Sequence, residues 1–427
     1  MTLIVALRGR QILDSRGRPT VEVDVRLADG TFARASVPSG ASTGSHEAHE
    51  RRDGDPGAYA GLGVLNAAAV VHDEIEPALR GHHAEDQCGI DARLRALDGT
   101  DDLSRLGANA VLGTSLAVCR AAAVAQGIPL HRWIAELAGV EVPLLPMPMV
   151  NILSGGLHAG RGMDVQDFLV VPVGAKNMAE ALHIAERVRA AASEALAARG
   201  LSTLLADEGG LSPLCKTGRE ALSLTIEIIE RARLEPGRDA SIAIDVAAHS
   251  LVDERGRYVL AREGAVLSTN EMIDMVAEWV GEFPVVSVED ALDEEDWLGW
   301  TSLTSRLGGH TRLIGDDLFT TNAVRLQRGI RSGAASGILI KVNQNGTLTG
   351  ALDVLTLARQ SGYLPVVSAR SGETEDAFIA DLAVGTAAGQ IKIGSMRCSD
   401  RLAKYNQLLR LAEDPGLAFG SLPCAVT

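Results

Sequence analysis

Between residues 167 and 393 the chain repeats one unit, a short run of β-forming residues followed by a longer stretch with helical periodicity. The runs are 167–173, 204–206, 241–244, 285–288, 312–314, 338–340, 366–368 and 391–393, with helical stretches such as 179–198 and 221–233 among them. A strand that returns to its sheet through a helix comes back parallel to its predecessor, because the helix must cross the sheet. About eight such units predict an α/β fold, a parallel sheet closed into a TIM-like barrel. An open doubly wound sheet satisfies the same alternation.

Upstream the pattern differs. Residues 20–37 alternate Val21, Val23, Val25 and Leu27 with polar neighbours, turn at Ala28-Asp29-Gly30 and resume, which predicts a hairpin. Alanine-rich stretches over 64–79 and 109–125 carry helical spacing. Residues 1–140 are therefore expected to form an α+β domain. Residues 141–427 form the barrel, beyond a boundary where Pro143, Pro146 and Pro148 cluster.

The most informative feature is where the charges fall. Nearly every run in the second domain ends on an ionisable side chain: Asp207-Glu208, Asp245, Glu289-Asp290, Asp316-Asp317, Lys341, Arg370 and Lys392. In a barrel these positions converge on the mouth formed by the C-terminal strand ends. Any one acid there also serves as an N-cap for the next helix, but four in succession are not all caps. Clustered carboxylates repel unless a cation neutralises them. With no His or Cys beside Asp245, Glu289 and Asp316, oxygen ligands point to Mg²⁺ rather than zinc. Lys341 and Lys392 then suit either plain ion pairing or the roles of a base and an anion clamp.

The net charge of −15 and pI near 5.2 disfavour nucleic acid and anionic membranes as partners, since both need a basic face. The first ten residues are too short an apolar stretch for a secretory signal, so a cytoplasmic protein is expected. Five scattered cysteines without paired spacing fit reduced thiols.

Along nearly its whole length the sequence resembles the enolase family. The resemblance is carried by Asp14-Ser15-Arg16-Gly17, Ser39-Gly40-Ala41-Ser42-Thr43-Gly44, Ser154-Gly155-Gly156, Asp207-Glu208-Gly209-Gly210 and Ser287-Val288-Glu289-Asp290. It continues through Gly315-Asp316-Asp317, Leu339-Ile340-Lys341-Val342-Asn343-Gln344, Arg370-Ser371-Gly372-Glu373 and Ala403-Lys404-Tyr405-Asn406-Gln407. The resemblance implies an enolase-type barrel under an N-terminal cap with a mobile glycine-rich loop. It also implies a hydro-lyase that converts 2-phosphoglycerate to phosphoenolpyruvate through an enolate. Two Mg²⁺ ions per site are implied, one on Asp245, Glu289 and Asp316 and a substrate-dependent one helped by Ser42. Lys341 is implied as base, Glu208 as general acid, Lys392 as holder of the substrate carboxylate, Arg370 with Ser371 as holders of phosphate, and His158 as a lid group. A homodimer or larger homo-oligomer is implied as well. Without the resemblance, residues 39–44 read as a flexible turn and His158 as an ordinary histidine.

Two departures fall inside the expected pocket. Asp167 stands where enolases carry Glu, and Ala369 where they carry His. The shorter acid reaches about 1.5 Å less far, and alanine deletes an imidazole beside the phosphate, so the pocket is expected to be roomier. Arg161 is either a solvated residue or a cationic replacement for that imidazole. A specialised relative resembling carboxyphosphonoenolpyruvate synthase, acting on a phosphonoformyl glycerate, fits these changes. A non-catalytic binding protein is the rival class, supported by the same two positions alone.

Overall fold

Val21, Val23, Val25 and Leu27 share one face of their strand and are each no more than 1 % exposed, as the two-residue period requires. They belong to an antiparallel sheet of β1 (Ile4–Leu13), β2 (Pro19–Leu27) and β3 (Phe32–Ser36) in a computed structural model describing residues 2–41 and 44–420. The long β1 was not foreseen, because its apolar residues do not alternate. Against the sheet lies α1 (Ala108–Gln126). The contact is close enough that a methyl group at Gly113 would meet Val23 Cγ2 at 2.8 Å. This helix is long and apolar enough to cross a membrane by composition, yet 83% of its most apolar window is buried in the protein.

Eight strands close the barrel: β4 (Met147–Ser154), β5 (Asp167–Val171), β6 (Ser241–Asp245), β7 (Val285–Glu289), β8 (Arg312–Gly315), β9 (Gly337–Ile340), β10 (Leu364–Ser368) and β11 (Gln390–Lys392). Two expectations need correction. Residues 204–206 form no barrel strand; Leu205 makes only an isolated bridge to Leu211, and Leu204 is exposed. Their place belongs to β4, whose prolines signal a boundary in the sequence although Pro148 is tolerated near the strand's start.

The sheet is also not wholly parallel. β5 runs antiparallel to both β4 and β6. The segment from Ser154 to Asp167 holds only a short 3₁₀ turn (Leu157–Ala159), too little for a crossover, so the chain doubles back. Two helices in succession, α2 (Met178–Ala198) and α3 (Gly218–Arg231), then connect β5 to β6. Both start at a side-chain cap, Asn177 accepting from the Glu180 amide and Thr217 from that of Glu220. After β11 the chain enters α4 (Ser399–Leu411).

Candidate active site

Strand register builds the site. Asp167 is paired with Ser154 on β4 and with Asp245 on β6, and Asp245 is paired with Glu289 on β7. Glu289 pairs with Ile314, which places Asp316 just past the end of β8. On the far side Lys392 pairs with Ser368 and Met149, and Lys341 directly follows β9. One level of the barrel mouth thus collects Asp167, Asp245, Glu289, Asp316, Lys341 and Lys392. Because β5 is reversed, it contributes its first residue where the parallel strands contribute their last.

These charges are buried and paired. Lys392 Nζ lies 2.7 Å from Asp245 Oδ2 and 2.7 Å from both Glu289 oxygens. Lys341 Nζ donates to Asp316 Oδ2. Gln166 and Gln344 add amide donors, at 3.1 Å to Asp245 and 3.0 Å to Asp316. Burial, reinforced by Asp245, pushes the Glu289 carboxyl well above the usual range. Burial opposes the charge of Lys341 as well, but Asp316 outweighs it and raises the amine.

Glu208 reaches the mouth from the turn after the 204–206 segment, its Oε2 accepting from Asn151 Nδ2 at 3.2 Å. Burial pushes its carboxyl up; Arg401, His158, Lys392 and Lys341 together pull it below the ordinary value. His158 Nε2 stands 3.4 Å from Asp167 Oδ1, and the same oxygen accepts from Ser154 Oγ at 2.5 Å. Burial lowers the imidazole, but Asp167 prevails and lifts it to about 9.

Arg370 is held by a residue that sequence reasoning overlooked. Its guanidinium donates to Glu47 Oε2 at 2.8 Å and Oε1 at 3.2 Å, and to Asn343 Oδ1 at 3.0 Å. Ser371 Oγ accepts from the Ala41 amide at 2.6 Å and from Arg16 at 3.2 Å. Glu47 lies three residues beyond the glycine-rich loop and no local pattern marked it. Ser42 lies outside the described residues. Arg161 is exposed and does not line the cavity.

A cavity of about 50 Å³ is lined by His158, Glu208, Asp245, Asp316, Lys341, Ala369, Arg370, Ser371 and Lys392. Glu289 is hydrogen-bonded to Lys392 and is not one of the lining residues. A second cavity of about 570 Å³, lined by Gly40, Gly44, Glu47 and Asn343, adjoins it across the Glu47–Arg370–Asn343 bridge.

The donor set fits a hard divalent cation: Asp245, Glu289 and Asp316 offer only carboxylate oxygens, and in this structure two ammonium groups lie against them. Among the described residues, the carboxylates whose oxygens all come within 4.8 Å of one another are Asp290, Asp316 and Asp317, a cluster that holds only Asp316 of the expected ligands. Both Asp290 oxygens, however, accept main-chain amides, of Asp316 at 2.9 Å and Asp317 at 2.8 Å. Asp290 is thereby better suited to shaping the loop than to holding an ion.

Comparison with known families agrees with this architecture. The enolase C-terminal TIM barrel domain matches residues 142–419, and the enolase N-terminal domain matches residues 4–134.

Proposed function

Because the chain belongs to the enolase family, we propose that it is a Mg²⁺-dependent hydro-lyase that removes water from 2-phosphoglycerate to give phosphoenolpyruvate. The observation that carries this reading is the meeting of Lys341, Glu208, Lys392, Arg370 and Ser371 around one buried cavity. A base, an acid and holders for two anionic groups are what such an elimination needs.

Asp245, Glu289 and Asp316 would hold Mg²⁺, with Ser42 helping a second ion. Bound there, the metal supplies positive charge against the substrate carboxylate and relieves the carboxylate row. Lys341 Nζ takes the proton from the carbon beside the substrate carboxylate. The electron pair left behind forms the new double bond as the hydroxyl leaves the next carbon, and Glu208 gives that hydroxyl its proton to complete water. Lys392 orients the substrate carboxylate, while Arg370 and Ser371 orient the phosphate. His158 and Leu157, at the cavity wall, exclude solvent.

Dehydration needs a neutral Lys341 amine to take the proton and a protonated Glu208 to release the hydroxyl as the substrate reacts. Glu47 must also yield Arg370 if the guanidinium is to hold the phosphate.

A second reading keeps this chemistry on a bulkier phosphonoformyl glycerate. It is favoured by Ala369, a buried wall residue ending at its methyl group. Purified protein with Mg²⁺ is offered each substrate separately while enolpyruvate formation is followed. Turnover of 2-phosphoglycerate within the ordinary enzyme range of roughly 1–10³ s⁻¹ is expected. Turnover of the phosphonate alone would replace the first reading with the second, and turnover of neither would sink both.

A further inference from the structure

Three side chains on one face of α4 take no part in the reading above. Arg401, Lys404 and Tyr405 stand at i, i+3 and i+4, and each is no more than 1 % exposed. Buried charge of this kind persists only when its donors are satisfied, and here the partners are mostly main-chain carbonyls. Arg401 donates to the carbonyls of Arg370 at 2.7 Å, Ser371 at 2.8 Å and Ile393 at 2.9 Å. Lys404 donates to Thr374 at 2.6 Å and Asp400 at 2.9 Å, and pairs with Glu373 at 2.8 Å. Tyr405 donates its hydroxyl to Gly394 at 2.7 Å.

The carbonyls chosen belong to the site. Arg370 and Ser371 are the proposed phosphate holders, and Ile393 and Gly394 follow the proposed carboxylate holder Lys392. The acid-bearing turn comes close to the same strand end: a Cβ at Gly394 would meet Glu208 O at 2.9 Å on one side and Arg401 Cδ at 3.1 Å on the other. That turn is tied to the same loop by the Ser395 amide, which donates to Glu208 O at 2.8 Å.

We infer that Arg401 is a positioning residue that fixes the phosphate-holding loop and the carboxylate-holding strand end relative to one another, the acid-bearing turn being tied to that strand end through Ser395, with Lys404 and Tyr405 completing the clamp. The planar guanidinium suits this task, because several donors in one fork reach carbonyls on two segments at once. A lysine ammonium at 401 lacks that fork. The inference rests on the proposed function for the roles of the three segments, but not for the clamp itself.

Arg401→Lys and Tyr405→Phe are compared with wild type by steady-state kinetics on 2-phosphoglycerate and by amide hydrogen exchange. Exchange is expected to accelerate over 368–376 and 392–396 in Arg401→Lys while 241–248 stays as in wild type. kcat/KM is expected to fall about 10- to 100-fold, with KM rising more than kcat falls. Tyr405→Phe, which removes one hydroxyl and keeps the ring, is expected to loosen 392–396 alone and to raise KM less. Uniformly faster exchange, or kinetics that change only with the folded fraction, would reduce the clamp to a general stability element. If Arg401→Lys does not fold, the Tyr405→Phe pattern decides by the same criteria. If wild type turns over no glycerate substrate, the proposed function falls, while the exchange pattern still decides the clamp.

Discussion

Toward one end of the barrel Met147, Leu169, Val171, Ala243, Val286, Ile314, Leu339 and Val366 form an apolar cluster. At the other end the same strands place Asp167, Asp245, Glu289 and Lys392. β5 carries both characters within five residues, Asp167 in the mouth and Leu169 and Val171 in the floor. Burying a Leu or Val side chain contributes about 1.5–3 kcal/mol, whereas burying a carboxylate opposes folding unless it is paired. The floor thus supplies stability that the mouth draws down, and chemistry can change at one end while the fold persists through the other.

The comparison breaks most readily if loss of the base leaves turnover intact. Lys341→Ala is expected to lower kcat by about 10³-fold or more and to abolish exchange of the substrate's α-proton with solvent. Exchange that survives would mean that another group is the base. At the floor, Leu169→Ala should cost about 2–5 kcal/mol in denaturant unfolding and leave KM where it was. A matching rise in KM would show that the two ends are not separable.

Metal sharpens the contrast further. Mg²⁺ at about 100 times its Kd should stabilise the protein by about 2.7 kcal/mol, read as a thermal shift that Glu289→Gln removes. A shift that persists would move the ion toward Asp290, Asp316 and Asp317.

The next effect is smaller and depends on pH. His158 keeps its proton to about 9 against an ordinary 6.5. Its contribution to stability is therefore complete below 6.5 and is lost as pH rises through 9. The wild-type denaturant midpoint should fall across that window more steeply than that of His158→Gln; parallel curves would mean that the imidazole is not paired with Asp167. Smallest of all, Ala369→His should move the kcat/KM ratio toward 2-phosphoglycerate over the phosphonate by about tenfold. An unmoved ratio would show that the vacated imidazole position does not select the substrate.

Much of this was legible in the linear chain because strands have period two and ionisable residues interrupt apolar runs visibly. Seven of the eight barrel runs coincide with observed strands, with ends shifted by a few residues at most. The exception shows the limit. Residues 204–206 are a short β-prone run that the barrel does not use, and β4 was hidden by prolines. In a closed sheet, a strand exists where neighbours supply ladder partners, and a three-residue run carries too little signal to reveal whether they do.

Sequence alone determined the alternating core faces and the acids at strand ends, since both are properties of local spacing. Tertiary structure decided which acids meet. Asp167 joined the mouth only because β5 is reversed. Glu47 came to hold Arg370, 323 positions away, and Arg401 came to bind the carbonyls of Arg370 and Ser371. Such contacts have no period in the chain, because chain closure brings remote residues together and sequence spacing records only near neighbours.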